Sequence, residues 1–313
     1  MEGIIIGILV SAVASGAVII FAAIGEILTE QSGVLNLGVE GIMAMGAVSA
    51  ILVVNGPLPN EYAGLLAACL VGLLLGAIFA LGTVTFKANQ VLCGLAYVFL
   101  GTGLAGQIGG SVSGQPAMAR FSQAPLPVLS EIPYLGEILF NHNILVYFAY
   151  FLLPLAATYI LFATRHGINV RAVGENPAAA DAAGVPVNLI RFVYVSIGGA
   201  FAGMAGAYLT LALTPAWTEG VTAGRGWVAI ALVIFGGWKP FRVVLGALLF
   251  GAITSVGYMA QIHGWGIPSA FLAMLPYLVT ILLMAIPSLL KRGGQHQRLV
   301  IGPSALVQPY YRE

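Results

Sequence analysis

Three carboxylates, those of Glu26, Glu30 and Glu40, lie close together where two strongly apolar runs meet. The segment that carries them, GEILTEQSGVLNLGVEG (25–41), also contains Asn36 and several glycines. Ionisable groups at membrane depth are costly and usually face a cavity or a partner. Glycines and amides inside such a run are typical of a discontinuous helix that lines a transport path. The alternative is a turn at the cytoplasmic surface whose glutamates are hydrated among the lipid headgroups.

A second polar group opens the fourth apolar run, where Asn89 and Gln90 precede Tyr97. Amide and phenol side chains can hydrogen-bond a polar solute. These three residues are therefore candidates for lining the same path. Packing inside a helical core is the alternative for each of them.

The loop GENPAAADAAGV (174–185) contains the start and stop signals of a short helix. Asn176 suits the N-cap and Pro177 the first helical position, while Gly184 can end the helix in the left-handed conformation. A helix of about two turns is marginal alone in water, so another surface must hold it. That surface is either the membrane face of the same protein or a cytoplasmic partner that docks here. The residues alone do not favour one of these alternatives over the other.

Catalytic and metal chemistry find no support in the residue pattern. The histidines are scattered, without a cysteine or carboxylate at ligand spacing. No G-x-x-x-x-G-K-[ST] phosphate loop and no G-x-S-x-G motif is present. We therefore expect no enzyme activity, no ATPase site, no metal and no cofactor in this chain.

The composition excludes a soluble protein. Of the 313 residues, 59% are hydrophobic and only 7% are charged, against about 25% charged in soluble domains. A net charge of +1 offers no basic footprint for nucleic acid. We predict an all-α polytopic membrane protein. The four-residue spacing of Gly72 and Gly76, and of Gly199 and Gly203, predicts close helix packing in lipid.

About nine transmembrane helices (eight to ten) are expected, since a span needs about 20 apolar residues. The candidate runs are 3–24, 39–55, 62–86, 90–109, 143–163, 192–214, 226–238, 242–260 and 268–289. The run 226–238 is short, and fits a tilted helix, a half-helix or a re-entrant segment. No internal repeat is visible, so the sequence does not support pseudo-symmetry within the chain.

Charge placement favours nine crossings with the N-terminus outside and the C-terminus in the cytoplasm, as the positive-inside rule requires. Only Arg120 and Arg225 then lie outside. The basic residues placed inside are Lys87, Arg165, Arg171, Arg191, Lys239, Arg242, Lys291, Arg292, Arg298 and Arg312. Residues 1–313 thus form a single transmembrane domain, with 164–191 a cytoplasmic loop and 110–142 an extracytoplasmic loop.

Three segments together resemble one protein family. They are ILTEQSGVLNLGVEGIMAMGA (27–47), GENPAAADAAGV (174–185) and PSALVQPYYRE (303–313). They are similar to permease subunits of ABC importers for simple sugars and nucleosides, in the group that includes ribose and branched-chain amino-acid permeases. Within that group the chain most resembles the shorter permease of purine-nucleoside importers. The resemblance covers essentially the whole chain.

This resemblance implies a multi-pass protein of the bacterial inner or plasma membrane and three protein partners. These are a second, different permease in a heterodimer, a cytoplasmic ATPase subunit that binds ATP and Mg, and an extracytoplasmic solute-binding protein. Glu26, Asn36 and Glu40 would lie near the translocation route. A coupling helix that seats in the ATPase would comprise Gly174, Glu175, Asn176, Pro177, Asp181 and Gly184.

We therefore expect a permease that translocates nucleosides, purine nucleosides first, without covalent chemistry of its own. The same machinery carrying a sugar such as ribose or galactose is the alternative. A different class is a proton-coupled secondary transporter that uses Glu26, Glu30 or Glu40. An intramembrane enzyme would need a catalytic constellation that the sequence lacks.

Overall fold

The structure, a computed structural model, describes residues 2–57, 59–290 and 302–312. Within these ranges the chain is helical, apart from turns and two isolated β-bridges. The helices are α1 (Glu2–Gln31), α2 (Val39–Val54), α3 (Glu61–Thr85), α4 (Gln90–Val112), α5 (Leu135–Phe140), α6 (Ile144–Ala163), α7 (Arg165–Glu175), α8 (Pro177–Ala182), α9 (Val187–Leu213), α10 (Arg225–Gly236), α11 (Pro240–Ile262) and α12 (Ser269–Leu290).

Six helices in the described ranges are long and apolar enough to cross a membrane, namely α1, α3, α4, α6, α9 and α11. The prediction of an all-α polytopic protein is confirmed. The other three predicted runs form shorter apolar helices, α2, α10 and Ser269–Leu282 within α12. At 1.5 Å per residue, the 16 residues of α2 and the 12 of α10 extend about 24 and 18 Å, less than the ~30 Å of a hydrocarbon core.

Side-chain caps fix where several of these helices begin. The Asn60 side-chain oxygen accepts the Ala63 N–H at 3.0 Å at the start of α3, and Asn143 caps α6 in the same way. A cap supplies an acceptor to an N–H that has no intrahelical partner. The first helix differs from its expected span of 3–24, since it continues to Gln31 through the glutamate-containing segment.

Glycines bring α3 and α9 into backbone contact. A methyl group added at Gly199 would meet the Gly72 carbonyl oxygen and the Gly76 Cα, and one added at Gly203 would meet the Ala68 carbonyl oxygen. Larger side chains would separate the two backbones. The predicted packing role of this glycine spacing is confirmed, and α9 is the most buried of the spanning-length helices.

The second half of the bundle repeats the order of the first in the opposite direction. Each half has a long helix, a reversing segment, a short helix and another long helix, which are α1–α3 in the first half and α9–α11 in the second. Contacts of Gly7 with Met259 and of Gly16 with Ala247 show that α1 runs antiparallel to α11. Helix α3 likewise runs antiparallel to α9. This order of helices is related between the two halves although no sequence repeat is visible.

The loop 110–142 covers the end of the bundle where α9 finishes. Its Phe121 N–H donates to the Leu211 carbonyl at 2.9 Å, and its Ala117 N–H donates to the Pro215 carbonyl at 2.9 Å. Burial lowers the pKa of His142, whose Nε2 lies 2.9 Å from the Ile138 carbonyl. The His142 ring therefore links two parts of the loop.

Basic residues separate toward the two ends of the bundle. Lys87 lies 4.0 Å from the centre of the Tyr311 ring, and Arg191 donates to the Gln308 carbonyl at 3.1 Å, so both meet the C-terminal segment. Arg120 lies at the opposite end, beside the loop anchor described above. Three of the basic residues placed inside, Lys291, Arg292 and Arg298, fall outside the described residues.

Candidate translocation site and coupling surface

The segment that follows α1 turns back alongside that helix. The Asn36 N–H donates to a Glu26 carboxylate oxygen at 2.9 Å, and both residues are buried. Glu26 lies more than one helical turn before Gln31, the last residue of α1. The chain therefore re-enters the bundle before α2 begins, which is the discontinuity that the glycines and amides of this segment predict.

Glu30 joins the last turn of α1 to the residues that follow α10. The Trp238 indole N–H donates to one Glu30 oxygen at 2.5 Å, and both side chains are buried. The second Glu30 oxygen is buried and has no partner among the described residues. This glutamate thus ties two distant parts of the sequence together inside the protein.

Glu40 holds the beginnings of the two short helices together. It lies in the first turn of α2 and accepts the Gly224 N–H at 2.8 Å and the Gly226 N–H at 2.7 Å. Amides at a helix N-terminus have no intrahelical acceptor, and the N-terminal end of a helix carries partial positive charge. One carboxylate therefore compensates the positive ends of α2 and α10 together. We name Glu40 with Gly224 and Gly226 the Glu40 clamp.

Two of the three polar residues predicted on α4 join this region. The Gln90 side-chain oxygen accepts the Leu35 N–H at 2.8 Å, and Gln90 is buried. The Tyr97 side chain lies against Gly38, and its backbone lies against Gly41 at the start of α2. Both residues thus support the re-entrant turn, and Tyr97 is partly exposed.

Asn89 is not part of the buried cluster. It is exposed, and its side-chain oxygen caps α4 by accepting the Leu92 N–H at 3.1 Å. Its position is explained by helix capping. The three glutamates, by contrast, are buried and bonded to protein groups, so the alternative of a hydrated surface turn is wrong.

Sequence reasoning missed the partners of these carboxylates, which are Trp238, Gly224 and Gly226. They lie about 180 to 210 positions further along the chain. One signal was present, since two glycines flank Arg225 immediately before the short apolar run. Glycine at that place allows a close approach, because a methyl group added at Gly226 would lie 2.7 Å from the Glu40 backbone nitrogen.

The short helix predicted in the cytoplasmic loop is present as α8. The Asn176 side-chain oxygen accepts the Ala179 N–H at 3.0 Å, and Pro177 is the first helical residue. Gly184 has a φ of +84°, the left-handed conformation expected for the residue that ends the helix. Ala180 is buried and most other residues of α8 are exposed. The predicted helix is confirmed, and one side of it is exposed.

The C-terminal segment 302–312 holds the other side of α8. The Tyr310 hydroxyl donates to Asp181 at 2.9 Å, and Arg312 forms an ion pair with the same carboxylate at 3.0 Å. The Ser304 hydroxyl donates to Glu175 at 2.8 Å. The α8 helix is thus stabilised by its own chain on one side while the other remains open.

Gly174, the last of the residues predicted for this surface, is buried where α7 meets the turn after α1. Its carbonyl accepts the Ala305 N–H at 2.9 Å, and a methyl group added at Gly174 would meet the Gln31 carbonyl. Gly174 is therefore not accessible to a partner, whereas the other predicted coupling residues are exposed or partly exposed at one end of the bundle, namely Glu175, Asn176, Pro177, Asp181 and Gly184.

Among the cavities that adjoin the segment 214–224, two lie close to where this segment leads into α10. The first has a volume of about 340 Å³ and lies between α1, α11 and α12. There Arg225 donates to the Tyr258 hydroxyl at 3.1 Å and to the Val221 carbonyl at 3.0 Å. The second has a volume of about 280 Å³ and lies between α2, α4 and the segment 214–224. No group of three or more possible metal ligands occurs in the described chain.

Comparison with known proteins gives one family. The family described as the permease component of the branched-chain amino acid transport system matches residues 8–286. A putative glucose ABC transporter permease of Haloferax volcanii is 37% identical, with 98% of each chain covered. A nucleoside ABC transporter permease of Lactococcus lactis is 34% identical, with 86% of this chain and 88% of the relative covered.

A third relative is a guanosine ABC transporter permease of Bacillus subtilis, which is 32% identical over 85% of this chain and 87% of its own. No solved structure matches the chain. The family match, these full-length similarities and the apolar helices confirm the resemblance drawn from the three sequence segments. The chain belongs to the permease family of ABC transporters, as a multi-pass protein of the plasma membrane.

Proposed function

We propose that this permease provides half of the translocation path of an ATP-driven importer for nucleosides, with purine nucleosides as the first candidates. The observation that carries the proposal is the similarity, over at least 85% of this chain, to one nucleoside permease and one guanosine permease. A hexose is the second candidate substrate, because the protein named as a putative glucose ABC transporter permease is 37% identical. In either case the chain moves its substrate without covalent chemistry.

In the proposed topology all nine apolar runs cross the membrane, with the N-terminus outside and the C-terminus in the cytoplasm. The short helices α2 and α10 then complete their crossings with the re-entrant segments that precede them. The Glu40 clamp joins the beginnings of α2 and α10, and this contact supports a break in each crossing near the level of the clamp. Discontinuous helices of this kind are where transporters place their substrate routes.

The open side of α8 is the proposed docking surface for a cytoplasmic ATPase subunit, which holds the ATP and Mg. An extracytoplasmic solute-binding protein would deliver the substrate, and a second, homologous permease would supply the other half of the path in a heterodimer. The exposed alanines of α8 and its fixed second side support this assignment. The proposed inner lining or support of the path is the cluster formed by Glu26, Asn36, Glu40, Gln90 and Tyr97.

The test is transport by the assembled complex in proteoliposomes. The permease is purified with its companion permease, ATPase and binding protein, and uptake of guanosine, adenosine, ribose, galactose and glucose is measured with and without ATP. We expect ATP-dependent uptake of a purine nucleoside. Uptake by the permease alone, driven by a proton gradient without ATP, would contradict the proposal and support a secondary transporter.

A matched pair of variants tests the coupling surface. Pro177→Gly with Gly184→Val disrupts the start and the end of α8, whereas Asn188→Ala changes an exposed side chain in the first turn of α9. We expect the first variant to lose both ATPase association and uptake, and the second to keep both. If association and uptake survive in the first variant, α8 is not the coupling helix.

A further inference from the structure

Two adjoining cavities extend from the loop 110–142 into the bundle. The loop cavity has a volume of about 560 Å³ and is lined in part by that loop. The bundle cavity is the one of about 340 Å³ between α1, α11 and α12. Both are lined by Ser15 of α1 and by Tyr258 and Gln261 of α11, so they adjoin at these three side chains. The bundle cavity also reaches Arg225, between the two glycines of the Glu40 clamp.

Ser15 presents an unpaired hydroxyl to these cavities. The residue is 3% exposed, and its hydroxyl has no hydrogen-bond partner in the described part of the chain. Its oxygen is not sealed off as the unpaired Thr158 hydroxyl is. A serine inside a helix commonly donates to the carbonyl one turn earlier, as Ser255 does to Gly251 at 2.8 Å. A buried hydroxyl without a partner is costly, so a partner from outside the chain is expected at Ser15.

The two residues of α11 add further hydrogen-bonding groups. Gln261 is exposed, and its side-chain amide makes no hydrogen bond within the described ranges. The Tyr258 hydroxyl accepts from Arg225 at 3.1 Å, and its own proton has no acceptor among the described residues. An amide and a hydroxyl each offer donors and acceptors. Donors and acceptors for a polar solute therefore lie where the two cavities adjoin.

The charges of the lining exclude an ionic partner for this site. No carboxylate lines either cavity among the described residues. Arg225 lines the bundle cavity, but its guanidinium already donates to Tyr258 and to the Val221 and Thr222 carbonyls. Much of the remaining lining is apolar, including Phe250. The cavities therefore suit an uncharged molecule that has several hydrogen-bonding groups and an apolar face.

We propose that these adjoining cavities are a substrate site for an uncharged polyhydroxylated solute, a nucleoside or a hexose, which forms hydrogen bonds with Ser15, Tyr258 and Gln261. The volumes of about 340 and 560 Å³ fall within the range of small-molecule sites, about 300–1,000 Å³. The proposal rests on the proposed import of a nucleoside or sugar and deepens it by naming the residues that touch the substrate.

Cysteine labelling tests whether water and substrate reach Ser15. Ser15→Cys is placed in a chain that carries Cys69→Ala and Cys93→Ala, because these are the native cysteines. The complete complex in nanodiscs is treated with a charged methanethiosulfonate reagent, and labelling of the permease chain is followed by mass. We expect Ser15→Cys to be labelled, and labelling to slow about tenfold with guanosine or glucose at ten times its dissociation constant.

Ser255→Cys in the same background is the matched control, because Ser255 is fully buried on α11 and its hydroxyl is bonded within that helix. It should stay unlabelled. Absence of labelling at Ser15→Cys would show that the cavities are closed or filled by lipid, and would overturn the proposal. Labelling that no nucleoside or sugar slows would show a water-filled crevice only, and would overturn it too.

Uptake by the complete complex tests the hydrogen bonds themselves. Ser15→Ala and Gln261→Met remove the polar groups with little change in shape. Since a neutral hydrogen bond contributes about fivefold to recognition, we expect each variant to slow ATP-dependent uptake about fivefold, with subunit assembly unchanged. Ser255→Ala and Gln115→Met, which line neither cavity, should transport at the wild-type rate.

The outcomes separate this inference from the proposed function. If the wild-type complex transports its substrate and Ser15→Ala and Gln261→Met transport it equally fast, the site assignment is wrong and the proposed function stands. If the wild-type complex shows no ATP-dependent uptake of any nucleoside or sugar, the proposed function is wrong and the site assignment falls with it.

Discussion

Two short helices of this permease are held by carboxylates in opposite surroundings. The α10 helix begins at the Glu40 clamp, where the backbone amides of the half-buried Gly224 and the buried Gly226 donate to a buried side chain. The α8 helix lies at the end of the bundle, where Asp181 and Glu175 bind side chains of the C-terminal segment. Helices this short are marginal alone, so each depends on its contacts with the rest of the chain.

The two sites differ in whether water can replace the hydrogen bonds of the carboxylates. Hydrogen bonds and charges are stronger where the local dielectric is low, and a group left unpaired there costs more. At the exposed end, water and salt compete with the same contacts. We infer that the Glu40 clamp is a fixed point of the fold, whereas the α8 contacts can rearrange when a partner docks. The following variants test that contrast.

Glu40→Gln should have the largest effect. The amide offers one acceptor in place of two, so a buried N–H of α10 loses its partner. We expect a loss of about 3 kcal/mol in stability and a thermal midpoint in detergent lower by about 5–10 °C.

The control for Glu40→Gln is Glu61→Gln, which changes a first-turn carboxylate of α3 that makes no side-chain hydrogen bond in the described chain. A midpoint equal in both variants would show that the clamp contributes nothing to stability.

Trp238→Phe should have the next largest effect, because it removes the donor from the bonded Glu30 oxygen and leaves both oxygens of this buried carboxylate without a partner. We expect a stability loss of about 2 kcal/mol, measured as the thermal midpoint of the purified protein. Trp265→Phe, at an exposed position, is the matched control. The bond would be dispensable if the two tryptophan variants unfolded at the same temperature.

Asn176→Ala removes the cap of α8 and should cost about 1 kcal/mol locally. Since the helix is at the surface, we expect the global thermal midpoint to stay near that of the wild type while the affinity for the ATPase falls about fivefold. Asn188→Ala is the control for both measurements. A large drop in the midpoint would mean that α8 is as integral to the fold as α10.

Arg312→Ala should have the smallest effect, since its ion pair with Asp181 is exposed on the arginine side. Exposed pairs contribute about 0.2–1 kcal/mol and are screened by salt. We expect a slight weakening of ATPase association at low salt that disappears at high salt. Arg120→Ala, in the loop at the other end, should show no such salt dependence. An effect that persisted in high salt would argue against a simple surface pair.

Much of the helical architecture could be predicted from the sequence, because apolar length and helix caps are local signals. The apolar runs, the α8 helix with its Asn176 cap, and the close packing at Gly199 and Gly203 were all predicted and are present. The boundary of α1 was wrong because its polar residues are paired inside the bundle, which the hydropathy of the run does not reveal.

The candidate site was predicted only in part. Glu26, Asn36, Gln90 and Tyr97 come together because they are close in sequence or begin neighbouring helices. The contacts of Glu40 with α10, the contact of Glu30 with Trp238, and the cavity of about 280 Å³ depend on how the two halves pack. No local pattern encodes such a pairing, so the structure was needed to find it.

The contact between α3 and α9 has a mechanical consequence. The α9 helix begins at Val187, a few residues after α8 ends, and its 27 residues extend about 40 Å to the opposite end of the bundle. Because glycines bring the α9 backbone against α3, we expect the two helices to move as one rigid body. A displacement of α8 would then be transmitted to the far end of the bundle, at Thr214 and the segment 214–224.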